Sequence, residues 1–158
     1  MTTTTNDTLV AADTDRGIDI ERVFDAPIAR VWAAHSRIEQ LVQWWGRGNP
    51  LDVERWEFRR GGHWRFVEHA EGEAHGFEGR FREIEPERRI VWSFEWDGMP
   101  AHVCIDEISF TDLGDGRTRV RTHSQFHTPD ERDGMLQSGM EGGLNEGYRA
   151  LDALLARG

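Results

Sequence analysis

The run His102-Val103-Cys104-Ile105-Asp106-Glu107 gathers an imidazole, a thiol and two carboxylates into one short segment of strand character. Within it, Glu107 is the leading candidate for acid or base work. If the hairpin that follows pairs around Gly114-Asp115, Glu107 stands opposite Thr122 and shares a side with Val103, Ile105 and Val120, the side predicted to face the interior. Burial disfavours the charged form of a carboxylate and raises its pKa, which is the usual route to a general acid or base. A one-residue bulge would turn Glu107 to solvent instead, and an arginine partner would hold it ionised.

His102, Cys104 and Asp106 are predicted on the opposite side of that strand. Residues two apart on a strand are separated by roughly 6.5 Å, too far for a thiol and an activating base, so a packed, inert cysteine is the better reading. His69 and His75 flank Gly72 symmetrically and could meet across a hairpin, but two imidazoles without a third ligand fall short of a zinc site. His123-Ser124 lies near Asp130, yet the sequence has no Gly-x-Ser-x-Gly elbow, dinucleotide fingerprint or Walker motif. The expectation is therefore no cofactor, no metal and no covalent catalysis. The pair Trp44-Trp45 reads as core in preference to a lid or an interface patch.

The elements that must position these side chains follow from periodicity. Residues 1–16 are threonine-rich, acidic and aperiodic, and read as a disordered leader ahead of a single domain over 17–158. Ile18, Ile20 and Phe24 alternate with polar neighbours as a half-buried strand does. Pro27 then opens a short helix, and Ser36 with Glu39 forms a capping-box pattern for a second. Six strands are predicted next, at 51–58, 63–69, 75–85, 89–96, 103–110 and 118–126, separated by short turns that imply antiparallel neighbours. Thr128-Pro129-Asp130-Glu131 caps one long helix that runs to about Ala156.

Composition narrows the function. The 158 residues carry 29 acidic and 19 basic side chains, for a formal charge of -10, and every base is arginine. Such a surface repels phosphate backbones and anionic lipid, and the absence of lysine removes Schiff-base and P-loop chemistry. One cysteine permits no internal disulfide, no apolar run reaches the ~20 residues that span a bilayer, and no secretory signal is evident, so a cytoplasmic protein is expected. The apolar mass sits in seven tryptophans and eight phenylalanines. Trp64 and Phe66, Phe77 and Phe81, and Trp92 and Phe94 keep one strand parity while charged residues such as Arg65, Glu78 and Arg80 keep the other, which predicts one dry face and one wet face.

The segment Glu21 to Trp32 (ERVFDAPIARVW), Trp44-Trp45-Gly46, Gly61-Gly62 with Trp64-Arg65-Phe66, and the C-terminal Arg132 to Leu155 together resemble the family named for activators of the heat-shock protein 90 ATPase, within the START-like superfamily. The resemblance covers roughly residues 17–157. It implies an α+β helix-grip fold: a curved seven-stranded antiparallel sheet wrapped around a long C-terminal helix, two short helices between the first two strands, and a cavity between sheet and helix. Gly139, Gly142, Gly143 and Gly147 on that helix would then either leave room for a ligand or relieve crowding against the rings.

The expected function is non-covalent binding of a small hydrophobic or aromatic molecule by Trp64, Phe66, Phe77, Phe81, Trp92 and Phe94 of the sheet, Met140, Leu144 and Tyr148 of the helix, and the polar groups Glu107 and Thr122. Two alternatives stand beside it: a cofactor-independent cyclase or hydrolase using Glu107, and an interaction module that regulates a chaperone ATPase. A homodimer is compatible with all three, while nucleic acid and membrane are not expected partners.

Overall fold

A computed structural model describes residues 7–157. The elements run β1 (Leu9–Asp13), β2 (Gly17–Phe24), α1 (Ile28–Ser36), α2 (Ile38–Leu41), β3 (Leu51–Trp56), β4 (His63–Ala70), β5 (Glu73–Glu85), β6 (Arg89–Trp96), β7 (Cys104–Asp112), β8 (Thr118–Gln125), α3 (Pro129–Gln137) and α4 (Met140–Ala156). The strands form one antiparallel sheet in the order β1-β2-β8-β7-β6-β5-β4-β3. It has eight strands where seven were expected. The additional one is β1, which lies in the segment read as a leader and pairs with β2 from Leu9↔Glu21 to Asp13↔Gly17. Val10 packs against the core from this edge, giving the strand an anchor that its short run, without apolar–polar alternation, does not reveal. The first six residues of the expected leader lie outside the described residues.

Two of the predicted helix boundaries move. Ser36 ends α1 instead of capping α2, whose N-cap is Arg37 with no side-chain bond, so the capping box at Ser36 does not form. At the other end, Thr128 does make the full box: its Oγ1 accepts from the Glu131 N–H at 3.1 Å while its own N–H donates to Glu131 Oε1 at 3.1 Å. The long C-terminal helix is broken into α3 and α4 at Gly139, whose φ of 86° is left-handed backbone that glycine adopts without a Cβ clash.

Sheet and helices close on one continuous core. Trp64, Phe66, Phe24, Ile18, Val31, Val120 and Leu151 are almost wholly buried in it. Helix α4 grips the β2 side: Tyr148 meets Phe24 edge-on at 5.2 Å between ring centres, and Arg22 reaches from β2 to Asp152 through two bonds of 3.0 and 2.6 Å. Bulges between Val53 and Arg55 and between Phe81 and Glu83 interrupt the pairing at the far side and bend it. No helix is long and apolar enough to cross a membrane among the described residues.

The glycines of the C-terminal segment do not share one role. A Cβ at Gly142 or Gly139 would meet open space, whereas Gly147 is buried with the Trp44 carbonyl 3.4 Å from where its Cβ would be. Neither of the two roles expected for these glycines holds at Gly139 and Gly142, while close packing describes Gly147 and also Gly143, whose Cβ would stand 3.4 Å from the Arg47 side chain. Replacing exposed Gly142 by alanine should raise the stability measured by urea unfolding by about 0.5–1 kcal/mol, while Gly139→Ala should lower it by roughly 1–2 kcal/mol because its backbone is left-handed.

Candidate functional site

The two faces of the sheet are assigned by the pairing of β7 with its neighbours. Trp92 lies opposite Asp106, and Asp106 opposite Ser124. The inward row of β7 is thus Cys104, Asp106, Ile108 and Phe110, alongside Thr118, Val120, Thr122 and Ser124 of β8. Glu107 pairs with Val91 and His123 and belongs to the outer face, where Arg89 bonds it at 2.7 Å and also holds Glu83 and Glu85. The expectation that Glu107 lines the interior opposite Thr122 is overturned. The cause is the β7–β8 loop, which has five residues, closed by the Leu113 N–H donating to the Arg117 carbonyl, with Gly114 and Gly116 in left-handed backbone. An odd loop moves the axis of the hairpin onto Asp115, and the side-chain parity of the incoming strand reverses. Phe110 shares the parity of Asp106 and was the available sequence signal.

Asp106 is the carboxyl that the fold does turn inward. Its Oδ1 accepts from Ser124 Oγ at 2.6 Å and from the Cys104 thiol at 3.6 Å, and its Oδ2 accepts from Trp92 Nε1 at 3.0 Å. Burial raises its pKa, and the three donors pull the other way. The same burial, with Asp106 beside it, pushes the Cys104 thiol up, so it stays protonated and is a poor nucleophile. His102 lies before β7, and its Nδ1 bonds Glu131 on α3 instead of reaching Cys104, so no triad forms along this run. His69 and His75 do not face each other either: Glu68 pairs with His75, and His69 bonds Asp52 at 2.8 Å.

Of the predicted lining, Trp64, Phe66, Phe81 and Trp92 are fully interlocked. Trp64 stacks on Trp92 at 4.2 Å and tilts against Phe66 at 5.0 Å, while Phe81 sits 5.9 Å from Trp92. Phe77 and Phe94 are only half-buried, 5.6 Å apart, and Trp45 from the turn that follows α2 meets Phe66 and Phe77 edge-on, each at 5.1 Å. Met140 and Leu144 reach the same core from α4, also half-buried. Tyr148 is buried, within hydrogen-bonding reach of Thr122, and burial pushes its hydroxyl up to about 12. The sheet's interior is therefore a sealed aromatic floor with looser packing at Phe77, Phe94 and Trp45, and also at Met140 and Leu144 on α4. A separate open cleft of about 280 Å³ lies at the end of the sheet among Phe58, Arg59, Arg60, Glu83, Ile84 and Glu85, away from α4. Two further inner-face charges escaped the sequence reading because each sits at an apolar parity position: Arg22, held by Asp152, and Glu68, held by Arg47 and Asn49.

The family described as activator of Hsp90 ATPase homolog 1-like protein matches residues 25–156. The chain belongs to this family. Among solved structures it is similar to a protein from Rhodobacter sphaeroides at 27% identity and a TM-score of 0.85, covering 96% of this chain and 99% of that one. It is similar also to an Arthrobacter aurescens protein at 26% identity and a TM-score of 0.84, covering 95% and 92%. A Mycobacterium smegmatis protein at 21% identity, with a TM-score of 0.84 over 94% and 97% of the two chains, shares the fold. No curated protein is significantly similar in sequence.

Because burial raises the Asp106 carboxyl, the folded chain holds that proton more tightly than the unfolded chain does. The stabilisation is complete below the ordinary value of 3.8 and is lost as pH rises through the folded value. Asp106→Asn removes this loss, so its unfolding free energy minus that of the wild type should rise with pH from about 4 upward, read from urea midpoints at matched pH. A difference that stays flat with pH would show that the carboxyl is not desolvated.

Proposed function

We propose that this family member binds a small, largely apolar molecule non-covalently at the rim of the aromatic floor, with Asp106 as the polar anchor. The observation that carries the reading is an inner-face carboxyl oriented by three donors, with half-buried Phe94 paired to Cys104 on the neighbouring strand, Phe77 5.6 Å from Phe94, and half-buried Met140 and Leu144 packed on the same core. Apolar walls with a few fixed polar groups are the usual make-up of a small-molecule site. The Tyr148–Thr122 pair offers a second polar contact farther in. The sealed rings Trp64, Phe66, Phe81 and Trp92 act as the floor on which a ligand rests and do not separate to admit it.

Binding is favoured over catalysis. The inward thiol is held protonated, and Glu107, the acid or base of an enzymatic reading, points outward into an arginine-linked cluster. Regulation of a chaperone ATPase rests on the family description alone. Titration with the neutral fluorophore N-phenyl-1-naphthylamine, followed through tryptophan quenching and probe emission, should give a saturable one-to-one response. Phe94→Ala should weaken it by roughly tenfold, the order expected for losing the burial of one ring. Glu107→Gln should leave it unchanged. No saturation, or an equal loss in both variants, would remove the reading.

A further inference from the structure

On the outer face, across the sheet from the ring-lined side, β1, β2 and β8 converge on three potential ligands. Asp19 stands directly opposite His123, and Asp13 ends β1 opposite Gly17. His123 Nδ1 is 2.8 Å from Asp19 Oδ1 and 3.7 Å from Asp13 Oδ2, and one ligand atom from each of the three residues lies within 4.8 Å of the others. The close approach depends on Gly17: a Cβ there would come to 2.9 Å from His123 Cε1 and 2.6 Å from the Asp13 carbonyl oxygen.

The second ring nitrogen decides what this convergence needs. His123 Nε2 lies 3.2 Å from Gln125 Oε1, the oxygen that accepts its proton when the ring is in the Nε2–H tautomer. In neutral imidazole the Nδ1 lone pair then points at two carboxylates. Three acceptors facing one another require a cation between them, either a second proton on the ring or a metal ion. A metal ion on Nδ1 would select this tautomer, because a ligating histidine normally donates its other N–H to an oxygen acceptor, the position Gln125 Oε1 occupies here.

The dimensions choose the class of ion. Ligand bonds of about 2.0–2.1 Å in a tetrahedron place neighbouring ligand atoms about 3.3 Å apart, and the two imidazole–carboxylate distances bracket that value. One nitrogen with two carboxylate oxygens suits zinc and its neighbours, whereas calcium and magnesium favour sets made of oxygen alone. The surrounding charge is favourable, since the chain carries a formal -10; Arg121, 3.8 Å from Asp19 Oδ2, is the one nearby cation in contact with the cluster among the described residues.

We propose that Asp13, Asp19 and His123 bind one divalent cation of the zinc class, with the fourth position left to water. The ion would staple the edge strand β1 to β2 and β8, joining the start of the chain to the sheet. This site is independent of the one under Asp106 and lies on the other face.

The test uses the full chain, stripped with a chelator and titrated with Co²⁺ at pH 7.5. The expected result is a visible absorption band that saturates at one equivalent, with Zn²⁺ displacing it. Zn²⁺ at roughly a hundredfold over its Kd should raise Tm by about 5 °C or more. His123→Gln and Asp13→Asn, each verified as folded by circular dichroism, should weaken Co²⁺ binding at least tenfold, while His69→Gln should not. Because Asp13 ends an edge strand, Asp13→Asn keeps the test open if His123→Gln does not fold. Absence of a one-equivalent band, or binding unchanged in the folded variants, would overturn the proposal.

Discussion

The register of β7 against β6 and β8 is the constraint on which the chemistry of this molecule depends. In an antiparallel sheet every side chain's face follows from its pairing, and a shift of one residue exchanges the two faces completely. Here the pairing Trp92↔Asp106↔Ser124 sends one carboxyl among the rings and its neighbour, Glu107, into an arginine cluster outside. The same register orients Trp92 Nε1 and Ser124 Oγ onto Asp106, which makes burial of the carboxyl tolerable.

Around that register the two faces do different work. The inner face is stabilised by ring packing and by the grip of α4, fastened at one end through Arg22–Asp152 and through Tyr148 between Phe24 and Trp44. Ion pairs and hydrogen bonds cover the outer face, where Arg65 links Glu54, Glu78 and Asp97, Arg89 links Glu83, Glu85 and Glu107, and His123 links Asp13 and Asp19. Individually such exposed pairs contribute little stability. Their arrangement matters more for where a charged guest could sit, which is why the histidine cluster is of interest and the arginine hubs are not.

Most of the architecture was legible in the residues because it rests on signals that are local. Strand character marked seven of the strands, most of their connections carried glycine turns, and the Thr128–Glu131 box was visible as a pattern before it was visible as bonds. The remainder depended on non-local facts. Strand β1, Leu-Val-Ala-Ala-Asp, shows no alternation of apolar and polar residues, so its existence follows from pairing with β2 and not from its own pattern. The break at Gly139 looked like one more glycine in a thin helix, since nothing in the spacing of Leu136, Met140 and Leu144 distinguishes a continuous helix from two helices in phase. The polar anchor was displaced from Asp106 to Glu107 because an odd hairpin loop and an even one differ by a single residue, and turn residues alone did not discriminate between them.

The central claim is that Asp106 sits desolvated among the rings at the point where a guest molecule docks. Its most direct test is a carbon-13 NMR titration of the Asp106 carboxyl, assigned through Asp106→Asn, with and without saturating N-phenyl-1-naphthylamine. The account predicts a midpoint above the ordinary 3.8 and a resonance that moves when the fluorophore is added. A midpoint at or below 3.8, with a resonance indifferent to the fluorophore, would contradict it.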